Sequence, residues 1–271
     1  MRVQQHIFLG REAGPVRRAR GMTGPRAAAL ALGLLLTAAL GALALAVVEL
    51  RQLTAELRLA QTLELAPAAL RPPAPPAWAA GLTRVLVAGD SRVARWQPRP
   101  EIPGQDLHFT GIGGETTAEL RRRLSRDLAL YAPERLVLAA GVNDLVAASL
   151  NPAQVEDVLA ALTGNLEAII TEARAAGSEV ILLTILRPAR PDLLRRVFAW
   201  SPSLRPLVAE ANARIRALAD PAGGVTVLDV DALIGGSPNA PLPAEFTADT
   251  LHLTSAAYLR LNDLLSHVLS R

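Results

Sequence analysis

The sequence predicts an α/β fold, a mostly parallel sheet covered by helices on both faces, preceded by one apolar helix. Five short apolar runs, most of them rich in β-branched residues, alternate with helical patterns from about residue 83 onward. Blocks rich in Gly, Asp and Asn follow the first three runs directly. Residues 27–48 carry no charge at all.

Ala27–Val48 is 22 residues rich in Leu and Ala. At helical rise it spans about 33 Å, enough for a bilayer core of about 30 Å. Arg2, Arg11, Arg17, Arg18, Arg20 and Arg26 precede it against the single acid Glu12. Positive charge stays in the cytoplasm, so the tail is expected inside and the rest outside. The expected location is therefore the inner (cytoplasmic) membrane, single-pass, with the C-terminal domain extracytoplasmic. A cleavable signal peptide is the rival, with Ala44-Leu45-Ala46 as its cleavage site. Its apolar core is usually only about 7–15 residues, and the uncleaved anchor is preferred. Glu49 to about Leu65 is helix-prone and could continue the membrane helix. Arg71-Pro72-Pro73-Ala74-Pro75-Pro76 follows as a polyproline-type spacer.

In the domain itself, Arg84–Ala88 reads as a strand buried on both faces, ending in Gly89. Leu107–Ile112, Leu136–Ala140, Val180–Ile185 and Val225–Val230 are the other four strands. Helical patterns cover Thr117–Leu130, Pro152–Ala176 and roughly Leu204–Ala219. A last helix begins near Ser255 with Thr254 as its N-cap, and Ala257, Leu261, Leu264, Leu265 and Val268 form its buried stripe. The expected organisation is a tail (1–26), an anchor (27–48), a linker (49–81) and a globular α/β domain (82–271) large enough for one core.

In parallel α/β folds ligands bind beyond the carboxyl ends of the strands. Three blocks lie there: Gly89-Asp90-Ser91, Gly113-Gly114 and Gly141-Val142-Asn143-Asp144. A fourth, Asp249-Thr250-Leu251-His252, falls between strand five and the last helix, on the same side if connections are right-handed. A serine hydroxyl needs a base, and the base needs a group that fixes its tautomer. Of four histidines, His6 lies in the tail, His108 inside a strand and His267 on the last helix. His252 alone has a carboxylate three residues away on a loop, and Asp249 can accept from one ring nitrogen while the other faces Ser91. The developing oxyanion needs donors: the Ser91 N–H, the Gly114 N–H, where a glycine lets the main chain approach, and the Asn143 amide. Asn143 could equally be a turn residue, with Asp144 as a helix cap.

These four blocks resemble the SGNH hydrolases, also called the GDSL esterase/lipase family, over about Thr83 to the C-terminus. The resemblance implies a three-layer α/β/α fold with a five-stranded parallel sheet, a nucleophile at Ser91, acid and base at Asp249 and His252, and an oxyanion hole of Ser91, Gly114 and Asn143. Two departures stand out. The leucine that often follows Gly-Asp-Ser is Arg92 here, and the asparagine that many members carry before the oxyanion glycine is absent from Phe109-Thr110-Gly111. Arg92 is either a solvent-facing arginine pairing with Glu115 or Asp144, or a group that recognises an anionic part of the substrate. Arg187–Pro206, with four prolines, Phe198 and Trp200, can overhang the serine, and Trp200 is a candidate substrate contact. Trp96 either lines the cleft or packs behind it.

Composition narrows the functions further. All 28 basic residues are arginine, against 25 acids, for a net charge of +3. Without the first 26 residues the count is 22 Arg against 24 acids, and no basic stripe with interleaved aromatics appears, so nucleic acid is not expected as a partner. The absence of cysteine excludes disulfides and thiol chemistry, and no Cys/His cluster has zinc spacing. No cofactor or metal is expected. All-Arg usage with abundant Ala and Leu points to a high-GC bacterium. The expected activity is hydrolysis of a small-molecule, lipid or glycan ester, with O-acyl or O-acetyl groups of the envelope as the obvious candidates. An O-acyltransferase is the alternative, and a non-catalytic glycan-binding module on the same fold the third reading.

Overall fold

The computed structural model describes residues 24–62, 77–191 and 201–270. The Arg-rich tail, the polyproline spacer and Trp200 lie outside them. The chain divides into two compact units, residues 1–46 and 47–271.

Helix α1 runs Pro25–Thr62, and its segment Ala28–Leu57 is long and apolar enough to cross a membrane, alone in this among the described residues. Leu30, Leu32, Leu34, Leu36 and Leu43 are all more than half exposed. These positions point in different directions around a helix, so its apolar surface is not a single stripe. The helix continues unbroken through the first part of the expected linker. Within the second unit, Asn151 Nδ2 donates to the Ala55 carbonyl at 3.2 Å and Leu59 lies against the core.

The second unit is built on five strands: β1 Thr83–Gly89, β2 Gln105–Gly111, β3 Arg135–Ala139, β4 Glu179–Leu183 and β5 Val225–Leu228. All neighbours are parallel, in the order β2-β1-β3-β4-β5. The intervening helices are α2 Ser91–Ala94, α3 Thr117–Tyr131, α4 Val142–Leu150, α5 Val155–Ala175, α6 Leu204–Ala217, α7 Val230–Ile234 and α8 Ser255–Leu269. Strand side chains alternate between two cores. Leu86, Leu136, Leu138, Val180 and Leu182 face α3, α4, α5 and α6. Val85, Val87, Val137, Ile181 and Leu183 face Val93, Trp96 and the helices α7 and α8. Both faces are covered, which is why the central strands carry apolar residues without alternation. The strand order reverses between β1 and β3, and their carboxyl ends open the crevice in which such folds bind ligands.

Local signals set several boundaries. Thr116 and Glu119 form a reciprocal capping box at α3, and the Thr254 side chain accepts from the Ala257 N–H at the start of α8. The expected helix from Pro152 begins with a 3-10 turn, Pro152–Gln154, and becomes α-helical at Val155. The sequence reading offers only Asp144 as a cap for the short helix α4 and assigns it no extent. Val142 to Ser149 are all buried, so the helix lacks the polar face by which periodicity reveals one.

Gly141 caps α4 at φ +111°, a backbone conformation that L side chains rarely adopt. A Cβ there would lie 2.8 Å from Ile185 Cδ1 and 3.1 Å from Leu162 Cδ1. Gly141→Ala should therefore lower stability by about 1–3 kcal/mol through strain and overpacking. Thermal melts of the full chain in detergent check this, and an unchanged midpoint would show that the turn relaxes freely.

Candidate active site

β1 ends at Gly89, where a Cβ would overlap the Ala139 carbonyl oxygen and reach Val93 Cγ2 at 2.8 Å. Only a glycine allows the chain to turn this close to β3. Asp90 is buried, and its Oδ1 accepts from the Arg92 N–H at 2.8 Å, capping α2. Ser91 is thereby the first residue of a short helix at the carboxyl edge of the sheet, half-buried, its side chain at the rim.

His252 reaches it from the far end of the chain. Its Nε2 lies 3.1 Å from Ser91 Oγ, and its Nδ1 lies 2.7 Å from Asp249 Oδ2. The other carboxylate oxygen, Oδ1, accepts from the backbone N–H groups of Leu251 at 2.7 Å and His252 at 2.9 Å. Asp249 thus stabilises the turn with one oxygen and orients the ring with the other, and the capping and chemical readings of this residue are compatible. Burial alone would raise the Asp249 carboxyl. The hydrogen bonds from the His252 ring and the two N–H groups outweigh it and hold the group below the ordinary carboxylate range. An antiparallel bridge from Thr247 to Leu253 closes the loop. A carboxylate, an imidazole and a hydroxyl in one hydrogen-bonded line can withdraw the hydroxyl proton as the oxygen attacks.

The loop after β2 is clamped on both sides. The Ile112 N–H donates to the Gly89 carbonyl at 3.0 Å, and Asn143 Nδ2 donates to the Glu115 carbonyl at 2.9 Å. Between them Gly113 and Gly114 are exposed, Gly114 with φ +79°. Glu115 is held by a buried ion pair with Arg123, at 2.6 Å to Nε and 2.9 Å to Nη2. Arg123 also pairs with Asp127. Asp144 is the third residue of α4, with Gly141 at the N-cap in its place. Its carboxylate accepts from Thr117, at 2.6 Å from Oγ1 and 3.1 Å from N–H. The two adjacent residues Asn143 and Asp144 therefore fasten α4 to either side of Thr116.

Arg92, left open between two readings, turns inward. It is buried, its Nε donates to the Leu251 carbonyl at 3.0 Å, and its own carbonyl accepts from Tyr258 Oη at 2.8 Å. Neither Glu115 nor Asp144 is its hydrogen-bond partner, because Arg123 and Thr117 occupy them. Trp96 is buried behind the site, its Nε1 donating to Asn262 Oδ1 at 2.7 Å. Of the Arg187–Pro206 segment, the described residues begin at the site: the Ala189 N–H donates to the Thr250 carbonyl at 2.9 Å, and Arg187 forms a buried ion pair with Asp231 at 2.8 Å. The Glu115–Arg123 and Arg187–Asp231 pairs escaped the sequence reading, since nothing in the sequence couples residues of opposite charge across different elements.

Among the described residues no cluster of His, Cys, Asp or Glu could hold a metal ion.

A family model for the GDSL-like lipase/acylhydrolase family matches residues 77–260. No curated protein matches the sequence. Among solved structures, a GDSL-like lipase from Bacteroides thetaiotaomicron is 26% identical, covering 69% of this chain and 88% of its own, at TM-score 0.55. An acetylxylan esterase from Geobacillus stearothermophilus is 16% identical, covering 70% and 94%, at TM-score 0.53. A lipase/acylhydrolase from Enterococcus faecalis is 24% identical, covering 69% and 95%, at TM-score 0.50. The last two bear on the fold alone.

Asp144 gives the site a measurable pH signature. Burial pushes its carboxyl up to about 7, against the hydrogen bonds from Thr117. A folded-state value above the unfolded one means that its stabilising contribution is complete below about pH 4 and lost as pH rises towards 7. The stability of Asp144→Asn relative to the wild type should therefore increase from pH 4 to pH 7.5. Denaturant titrations of both proteins at several pH values test this, and a difference independent of pH would rule it out.

Proposed function

The chain belongs to the GDSL-like lipase/acylhydrolase family, and we propose that this ester hydrolase works through an acyl-enzyme formed on Ser91. His252 is the general base, Asp249 holds its tautomer and orientation, and the N–H groups of Ser91 and Gly114 with the Asn143 amide receive the oxyanion. The observation that carries this reading is the hydrogen-bonded line from Asp249 through His252 to Ser91, which joins positions 161 residues apart. Such a line has one evident chemical use, since each bond serves the proton movement of the next.

In the first step Ser91 Oγ attacks the ester carbonyl and its proton passes to His252 Nε2. The tetrahedral intermediate collapses as the same proton moves to the leaving alcohol. Water, deprotonated by His252, then cleaves the acyl-serine and restores the hydroxyl. Asn143 suits an oxyanion role because its amide has two hydrogens. One is committed to the Glu115 carbonyl and fixes the side chain, leaving the second as a donor that needs no reorganisation.

The domain is tethered outside the cytoplasmic membrane by an uncleaved helix over residues 27–48, with the tail inside. Two features support this: the exposed leucines around the helix and the six arginines before it. A substrate carried by the envelope, an O-acyl or O-acetyl ester of a glycan or lipid, fits such a location.

Ser91→Ala should abolish turnover of a short p-nitrophenyl ester and labelling by a fluorophosphonate, with a nearly unchanged thermal midpoint. Wild-type rates in that variant would remove Ser91 from the mechanism. Asn143→Ala should lower kcat by about 10²–10³ with a smaller effect on KM, whereas a change in KM alone would assign Asn143 to ground-state binding. A membrane-impermeant serine probe should label the protein in cells whose inner membrane is intact, once any outer barrier is opened. Labelling only after lysis of that membrane would reverse the topology.

A further inference from the structure

We propose that Arg92, the residue directly after Ser91, is a positioning residue that sets the distance between nucleophile and base by holding the Leu251 carbonyl. This rests on the reading of Ser91 and His252 given above.

The side chain links the segment bearing Ser91 to the segment bearing His252, beside the bond between those two residues. Its backbone belongs to the turn bearing Ser91, where its N–H donates to Asp90 Oδ1 at 2.8 Å and its carbonyl accepts from Tyr258 Oη at 2.8 Å. Its Nε donates to Leu251, the residue before His252, at 3.0 Å. The Leu251 N–H is in turn taken by Asp249 Oδ1 at 2.7 Å. The Leu251 peptides are thus fixed from both sides, on one by the acid that orients the imidazole and on the other by the residue that follows the nucleophile. A shift of this loop would move His252 Nε2 relative to Ser91 Oγ, and misplacement by about 1 Å can cost roughly a hundredfold in rate.

The surroundings argue against a packing role. Arg92 lines a cavity whose other walls are mostly apolar: Trp96, Ile185, Leu186, Val230, Leu253 and Leu261 among them. A leucine would be at home here, and burying a guanidinium in such a place is unfavourable. Burial indeed works against its charge, which Asp90, Asp231 and Asp249 sustain. Its Nη2 is buried with no hydrogen-bond partner. The arginine therefore does not hold a saturated ion pair, and its placed side-chain bond is the one to the base loop. It is also poorly placed for an anionic substrate, being 9% exposed.

The geometry suggests paired variants. Gln places an N–H donor the same number of bonds from Cα as Nε, without the charge, while Met matches the length without a donor. Arg92→Met and Arg92→Leu should lose about tenfold to a hundredfold in kcat on a neutral short ester, with KM within about twofold. Arg92→Gln should recover most of that loss. Fluorophosphonate labelling of Ser91 should slow in the same order, and thermal melts confirm that each variant is folded. Equal rates for the Gln and Met variants would overturn the proposal, as would an effect confined to KM, which would make Arg92 a substrate contact. A wild-type protein that fails to label at Ser91 overturns instead the reading of the site itself.

Discussion

β1 and β3 lie so close at their carboxyl ends that no side chain fits between them, and the geometry of the whole site follows from that approach. Gly89 faces the Ala139 carbonyl, and the Asp90 N–H donates to the same oxygen at 3.4 Å. The chain leaving β1 must turn at once, which sets Ser91 at the start of α2. The chain leaving β3 turns at Gly141 and enters α4, which sets Asn143 in the first turn of a buried helix. Both turns occur where the strand order reverses, so the crevice and the chemistry share one origin.

Around this junction the protein accumulates buried acids: Asp90 caps the turn bearing Ser91, Glu115 anchors the loop after β2, and Asp144 fastens α4 to α3. Burying carboxylates is unfavourable unless hydrogen bonds or cations satisfy them. Each has such partners: Asp90 the Arg92 N–H, Glu115 the Arg123 guanidinium, Asp144 the Thr117 hydroxyl and N–H. These groups touch nothing that reacts in the proposed mechanism. They convert three separate loop ends into one stiff edge, which is what a preorganised site requires.

The loop bearing His252 is held by a different means. Asp249 bonds the Leu251 and His252 N–H groups and the His252 ring, all within four residues of itself. The loop's attachment to the rest of the edge comes from contacts with distant segments: the Arg92 bond to Leu251, the Ala189 bond to the Thr250 carbonyl and the His252 bond to Ser91. The segment after β4, fixed by Arg187 and Asp231, thereby meets the loop bearing His252 directly.

The sequence by itself determined the layer architecture and the strands of the sheet. Apolar runs bounded by glycines are strands wherever both faces are covered, and this follows from burial without any tertiary detail. It also determined which chemical groups stand at the strand ends, because Gly89-Asp90-Ser91, Gly141-Val142-Asn143-Asp144 and Asp249-Thr250-Leu251-His252 are local motifs at the edges of legible elements. Tertiary structure decided the rest. The α4 helix was hidden because it is buried all round and has no polar face to give a period. Asp144 looked like a cap for its own helix and instead bonds Thr117, while Arg92 looked like a surface or substrate residue and instead reaches Leu251. Both partners lie far along the chain, at separations of 27 and 159 residues. A hydrogen bond depends on position in space, and a buried polar residue takes whichever partner the packed elements bring within reach, which no local pattern encodes.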